Sequence, residues 1–224
     1  MNRNLNAKSN NNNKRKFSEL ENLIVNASEE EHVENYHHTQ NVEVVDNHIY
    51  FYCDVNTKNI LELNKAIFRL NKVLTSFKNS TSVEYGVNIS DLVIYLHINS
   101  MGGYVTDAFS GVDAIISSEI PIYSIIEGYA ASAATFLSVV CNKRFITKHS
   151  SVLIHQLSGG YWGTYQQMTD DMKNSTYLQK RIKQLYMEHT RGKMKKEKLD
   201  DLLKRDLMLS FKKCRKMGLV DELI

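Results

Sequence analysis

Proline is almost absent: Pro121 is the only one in 224 residues, where average usage would supply about 11. Glycine is also scarce, and all ten lie between Gly86 and Gly218. Together these exclude a collagen-like or proline-rich extended chain. The three cysteines, Cys53, Cys141 and Cys214, are odd in number and far apart. They supply neither a disulfide framework nor a CxxC metal site, and they point to a reducing cytoplasm. No apolar run reaches the ~18 residues of a membrane span. The longest candidate, 129–141, is interrupted by Ser132, Thr135 and Ser138, so no membrane partner is expected.

What is present is an ordinary globular composition, 42% apolar and 24% charged, on a chain long enough to bury a core. The charge is uneven. Residues 161–224 hold 15 basic and nine acidic side chains, interleaved and without the aromatic platform of a single-strand binder. They read as solvated helix faces, with no nucleic-acid partner expected. No spaced ligand set suggests a metal or other cofactor. Residues 1–41 are rich in asparagine, including Asn10 to Asn13, and too poor in apolar groups to offset their ordering entropy. They are expected to be a disordered tail or a propeptide, ahead of one domain over 42–224.

From residue 42 strands and helices alternate. Val42–Val45 and His48–Cys53 have the β-branched and aromatic content of strands. Leu63, Ile67, Leu70 and Leu74 recur at helical spacing, which predicts an amphipathic helix over 60–74 and a polar loop over 75–90. Leu92–Ile98 and Ile122–Ile126 resemble strands buried on both faces, and Thr106–Ser118 predicts a helix. Short strands are expected at 144–147, 151–156 and 219–220. A long helix over 165–189 and two shorter ones follow. The alternation specifies an α/β fold with a largely parallel sheet.

Three places break this core logic. Gly128-Tyr129-Ala130-Ala131-Ser132-Ala133-Ala134 sets a hydroxyl among small residues where a strand turns into a helix. Free N–H groups at such a start favour developing negative charge, although Ser132 also fits a plain N-cap. Val152-Leu153-Ile154-His155 ends an apolar strand on an imidazole, which by itself is more often a satisfied structural histidine. Asp206, after Lys204-Arg205, could be a cap or a surface ion pair. With the Gly102-Gly103 turn these residues supply a nucleophile, a base, an orienting carboxylate and backbone donors, the parts of an acyl-transfer site.

The pieces 96–103 (Leu-His-Ile-Asn-Ser-Met-Gly-Gly), 128–133, Lys143-Arg144-Phe145, Ile154-His155-Gln156, Arg205-Asp206 with Leu209-Ser210, and Gly218-Leu219-Val220-Asp221 resemble the proteolytic subunit of the Clp protease. That is the ClpP family of serine peptidases. The resemblance implies a ClpP/crotonase-like core of repeated β-β-α units in a superhelix, with a protruding handle helix. It implies Ser132 as nucleophile, His155 as general base and acid, and Asp206 as the residue holding the imidazole. The oxyanion hole would be the amides of Gly103 and Ala133. Gly102 and the strand Gly103-Tyr104-Val105 on one side, and Leu157-Ser158 on the other, would clamp an unfolded polypeptide as an added strand.

The same resemblance implies heptameric rings stacked in pairs through the 159–189 handle, with Tyr161, Trp162 and Tyr165 buried there. Without the handle these three would be ordinary core aromatics. It further implies an AAA+ unfoldase partner at an aromatic pocket that Tyr95 and Phe145 fit, with His97 where an aromatic is common. Two family prolines are replaced, by Met101 and Leu157, which leaves the loops beside the site less fixed in φ. Two other readings stand beside this one. The first is a non-catalytic structural subunit of a mixed ring; the second is a crotonase-type acyl-CoA binder, which has no need of the Ser/His/Asp set.

Overall fold

A computed structural model describes residues 42–85 and 92–224. The expectation of a tail over 1–41 lies outside the described residues. The elements, in chain order, are β1 (Val42–Val45), β2 (His48–Phe51), α1 (Thr57–Tyr85), β3 (Ile94–Ser100), α2 (Val105–Ile116), β4 (Ile122–Ala131) and α3 (Ala134–Val139). They continue with β5 (Lys143–Ile146), β6 (Ser151–Leu153), α4 (Tyr165–His189), α5 (Lys196–Leu203), α6 (Phe211–Met217) and β7 (Glu222–Leu223). This is the expected α/β fold.

The sheet runs β1-β2-β3-β4-β5-β7, with β6 also paired to β4. Among the described strand pairs only β1–β2 is antiparallel. β4 is the organiser. Its first part pairs β5 from Tyr123 to Ile126, and its last part pairs β6 from Tyr129 to Ala131. Between the two, the β3–β4 register shifts and Gly128 adopts φ 80°. This is a bulge that re-aims the strand end. The amide of Gly128 donates to Ser150 Oγ at 2.6 Å, which fixes the bend.

One sheet face carries Ile49, Phe51, Ile94, Leu96, Ile98, Ile122 and Ile126, all buried against the helices. α1 contributes Ile60, Leu63, Ile67, Leu70 and Leu74, and α2 contributes Ala108, Val112 and Ile115. Each such aliphatic side chain stabilises the fold by about 1.5–3 kcal/mol before ordering costs. α3 is buried throughout, which is why its sequence shows no polar face.

Several boundaries differ from the sequence reading. α1 continues to Tyr85 instead of ending at 74. The apolar stripe stops at Leu74, but backbone hydrogen bonds do not need burial, and no helix breaker occurs before Gly86. β4 runs five residues past Ile126 because its far end gains β6 as a partner. β6 ends at Leu153. The C-terminal strand is Glu222–Leu223, not 219–220. Gly218, at φ 75°, caps α6, and Leu219 and Val220 then turn into the core before pairing resumes. The helix predicted over 165–189 has those bounds.

Candidate active site

The end of β4 and the end of β6 lie side by side, with Ala131 opposite Leu153. The next amide, that of Ser132, donates to the Leu153 carbonyl at 2.8 Å. The nucleophile candidate is thereby held two residues from His155. Ser132 itself has φ 53°, the left-handed region that costs a non-glycine residue about 1–2 kcal/mol. Such strain persists only where surrounding contacts over-determine it.

Asp206 arrives from the other direction. Gln156 donates its amide to the Leu203 carbonyl at 2.7 Å, and Val152 and Leu209 exchange backbone bonds at 3.1 and 2.7 Å. Segment 204–208 is therefore pinned at both ends alongside the strand that leads to His155. His155 Nε2 lies 2.7 Å from Ser132 Oγ, and His155 Nδ1 lies 3.1 Å from Asp206 Oδ1. Nδ1–H donating to the carboxylate leaves Nε2 as the acceptor facing the hydroxyl. Burial, and then the charge of Asp206, raises the Tyr129 phenol above its ordinary value, so it stays neutral beside the site.

The glycine turn closes against this line. Val55 donates its amide to the Gly102 carbonyl and accepts from the Tyr104 amide, both at 2.8 Å. Gly102 and Gly103 take φ 97° and 150°. A Cβ on Gly102 would fall 2.7 Å from Ser132 Cβ and 3.1 Å from the Ala133 nitrogen; one on Gly103 would fall 2.1 Å from the Val55 carbonyl oxygen. Only glycine lets the two backbones approach this closely. Among the described turn and loop hydrogen bonds, neither the Gly103 nor the Ala133 amide donates.

The strand expected at Gly103-Tyr104-Val105 is instead a single parallel bridge, Gly103 to Val55. Val105 already belongs to α2, with Tyr104 as its N-cap. The helix starts here because the turn has reversed the chain away from the sheet. Leu157 and Ser158 follow His155 outside any strand.

Sequence reasoning missed Gln179. Leu157 has an amide hydrogen that a proline lacks, and α4 satisfies it: the amide donates to Gln179 Oε1 at 2.7 Å. A side-chain tether thus holds the segment where the family's proline would fix φ. The only signal in the sequence was a polar residue on the half-buried side of a long helix. Thr135 and Tyr186, which contact the Ser132 carbonyl directly and in series, were missed as well.

The three aromatics expected in the handle are not core residues. Tyr161, Trp162 and Tyr165 are 49%, 98% and 82% exposed on the single chain. On the sheet face away from the helices, His48 stacks on Tyr95 at 4.7 Å and Tyr50 on His97 at 4.4 Å. Tyr123 and Phe145 extend this aromatic strip. Among the described residues no group of three or more His, Cys, Asp or Glu is placed to hold a metal. Nor is any helix there long and apolar enough to cross a membrane.

The family model of the Clp protease matches residues 84–224. Among solved structures, a point mutant of ClpP1 from Listeria monocytogenes superposes with a TM-score of 0.65 at 22% identity, covering 80% of this chain and 91% of that one. The structural likeness establishes the fold, and the family match spans the glycine turn and every residue of the Ser132–His155–Asp206 line; the chain belongs to the Clp protease family.

Proposed function

We propose that this chain is a serine endopeptidase subunit that cleaves unfolded polypeptide. The observation that carries the reading is the Ser132–His155–Asp206 line at 2.7 and 3.1 Å. Ser132 Oγ attacks the scissile carbonyl carbon as His155 Nε2 takes its proton. Asp206 holds the Nδ1–H tautomer and stabilises the imidazolium. The oxyanion faces the Gly103 and Ala133 amides. His155 then passes the proton to the departing amine, and water, activated by the same imidazole, hydrolyses the acyl-enzyme.

Gly102, Tyr104, Leu157 and Ser158 flank the nucleophile. With the Gly102 carbonyl and Tyr104 amide held by Val55 and the Leu157 amide held by Gln179, the Leu157 carbonyl and Ser158 supply the main-chain partners for substrate. Val105, now in α2, is half-buried against the core rather than pairing with substrate.

The same reading makes the subunit self-compartmentalised. Trp162, Tyr165, Met168, Met172 and Tyr177 are exposed along the handle loop and α4, and a second ring of subunits would cover them. The aromatic strip around Tyr95 and Phe145 would receive an AAA+ unfoldase.

Two experiments test this. A fluorophosphonate probe should label the wild-type chain at Ser132 and block turnover of an unstructured peptide; equal labelling of Ser132→Ala would sink the assignment. Gly102→Ala should lower kcat/KM by about 10²-fold, because its Cβ enters the space beside the Ala133 amide. Steady-state kinetics at wild-type levels would show that the turn does not border the reacting oxygen.

A further inference from the structure

We propose that Thr135 and Tyr186 are positioning residues that aim the Ala133 amide at the substrate oxyanion. This rests on the peptidase reading above and extends it to two side chains outside the triad. Thr135 Oγ1 donates to the Ser132 carbonyl oxygen at 2.6 Å, and the Thr135 amide donates to the same oxygen at 3.0 Å. Thr135 Oγ1 also lies 2.5 Å from the Tyr186 hydroxyl. A hydroxyl has a single proton. With Thr135 spending its own on Ser132, Tyr186 must be the donor to Thr135. Burial holds the Tyr186 phenol well above its ordinary value, so that donor proton persists at neutral pH.

The consequence follows from peptide geometry. The Ser132 carbonyl and the Ala133 N–H belong to one planar unit, and no cis peptide occurs among the described residues. In a trans unit the two groups point in opposite directions. Fastening the carbonyl to Thr135, on the helix side, directs the N–H to the other side. That is the side of Gly102, whose missing Cβ would lie 3.1 Å from the Ala133 nitrogen. Ser132 at φ 53° is in a strained region, which persists only where surrounding contacts over-determine it, and the Thr135 bonds are among those contacts. Thr135 is 2% and Tyr186 1% exposed, and Tyr186 is itself fixed edge-on to Phe136 at 5.7 Å. A buried chain of hydrogen bonds in which each polarises the next strengthens the clamp.

The test uses the full-length protein with a fluorogenic peptide and a peptide boronate that forms a tetrahedral adduct on Ser132. Thr135→Val should lower kcat on the order of 10-fold with little change in KM, since removing an oxyanion donor outright costs about 10²–10³-fold. Boronate affinity should fall by a similar factor. Thr135→Ser keeps the hydroxyl and should restore both to within about 3-fold. Because Thr135→Val leaves the Tyr186 hydroxyl without its partner, the double variant Thr135→Val/Tyr186→Phe removes both polar groups. It should recover thermal stability while kcat stays low.

Recovery of kcat together with stability in the double variant would overturn the assignment, as would equal losses in Thr135→Val and Thr135→Ser. Either result would reduce the pair to packing. A wild-type chain that neither turns over peptide nor reacts with fluorophosphonate would instead overturn the peptidase reading, and this inference with it.

Discussion

Ser132→Gly should lose roughly 10⁴- to 10⁶-fold in peptide turnover and yet be more stable than Ser132→Ala by about 1 kcal/mol. The two variants remove the same hydroxyl and differ only in Cβ. At φ 53° a Cβ is a liability, whereas glycine enters this region freely. The wild-type residue bears the strain because the turn presents Oγ to His155 at 2.7 Å and leaves the following amide open. Urea titrations of the two variants, set beside turnover of one peptide, check both halves of the expectation. Equal unfolding midpoints would mean that the turn relaxes on losing the hydroxyl and that the strain is not held by its surroundings. Turnover above about 1% of wild type in either variant would remove Ser132 from the chemistry.

Asp221→Ala should have the largest effect on stability, about 3–5 kcal/mol, with no direct effect on the reacting groups. Arg144 is 1% exposed. Its Nε and Nη2 donate to the two Asp221 oxygens at 3.0 and 2.8 Å, and Nη1 reaches the carbonyls of His189 and Gly218, each at 2.8 Å. One guanidinium thus ties β5, the end of α4 and the C-terminal turn together. Removing its carboxylate leaves a charge buried among carbonyls.

Burial alone would raise the Asp221 carboxyl, but the bonds and charge of Arg144, helped by Arg191, outweigh it and hold the group below its ordinary 3.8. The folded value therefore lies below the unfolded one. The pair's contribution is complete above the unfolded value and is lost as pH falls through the folded value. Unfolding midpoints of wild type and Asp221→Asn should be far apart at neutral pH and converge in acid below about 4. A pH-independent difference would show that packing, not the ion pair, carries the effect.

The sequence by itself determined the strand–helix alternation, because periods of two and 3.6 are local properties of a chain. It also marked the candidate site. Ser132, His155 and Asp206 each broke the pattern around them, and Gly102-Gly103 marked a turn that only glycine tolerates. The family pieces around Arg144 and Asp221 were legible as motifs, although nothing in them said that the two side chains meet.

Only the tertiary structure decided the rest, because it depends on which elements become neighbours. The far end of β4 is strand because β6 lies beside it, and Val105 is helical because the glycine turn sends the chain away from the sheet. The handle aromatics, compatible in sequence with a core, face outward on this chain. Leu157 keeps its place without proline because Gln179, 22 residues on, accepts its amide proton. Thr135 and Tyr186 are unremarkable in the sequence and meet only where the base of α4 crosses α3. Tethers of this kind join residues far apart in the chain, and no local pattern records them.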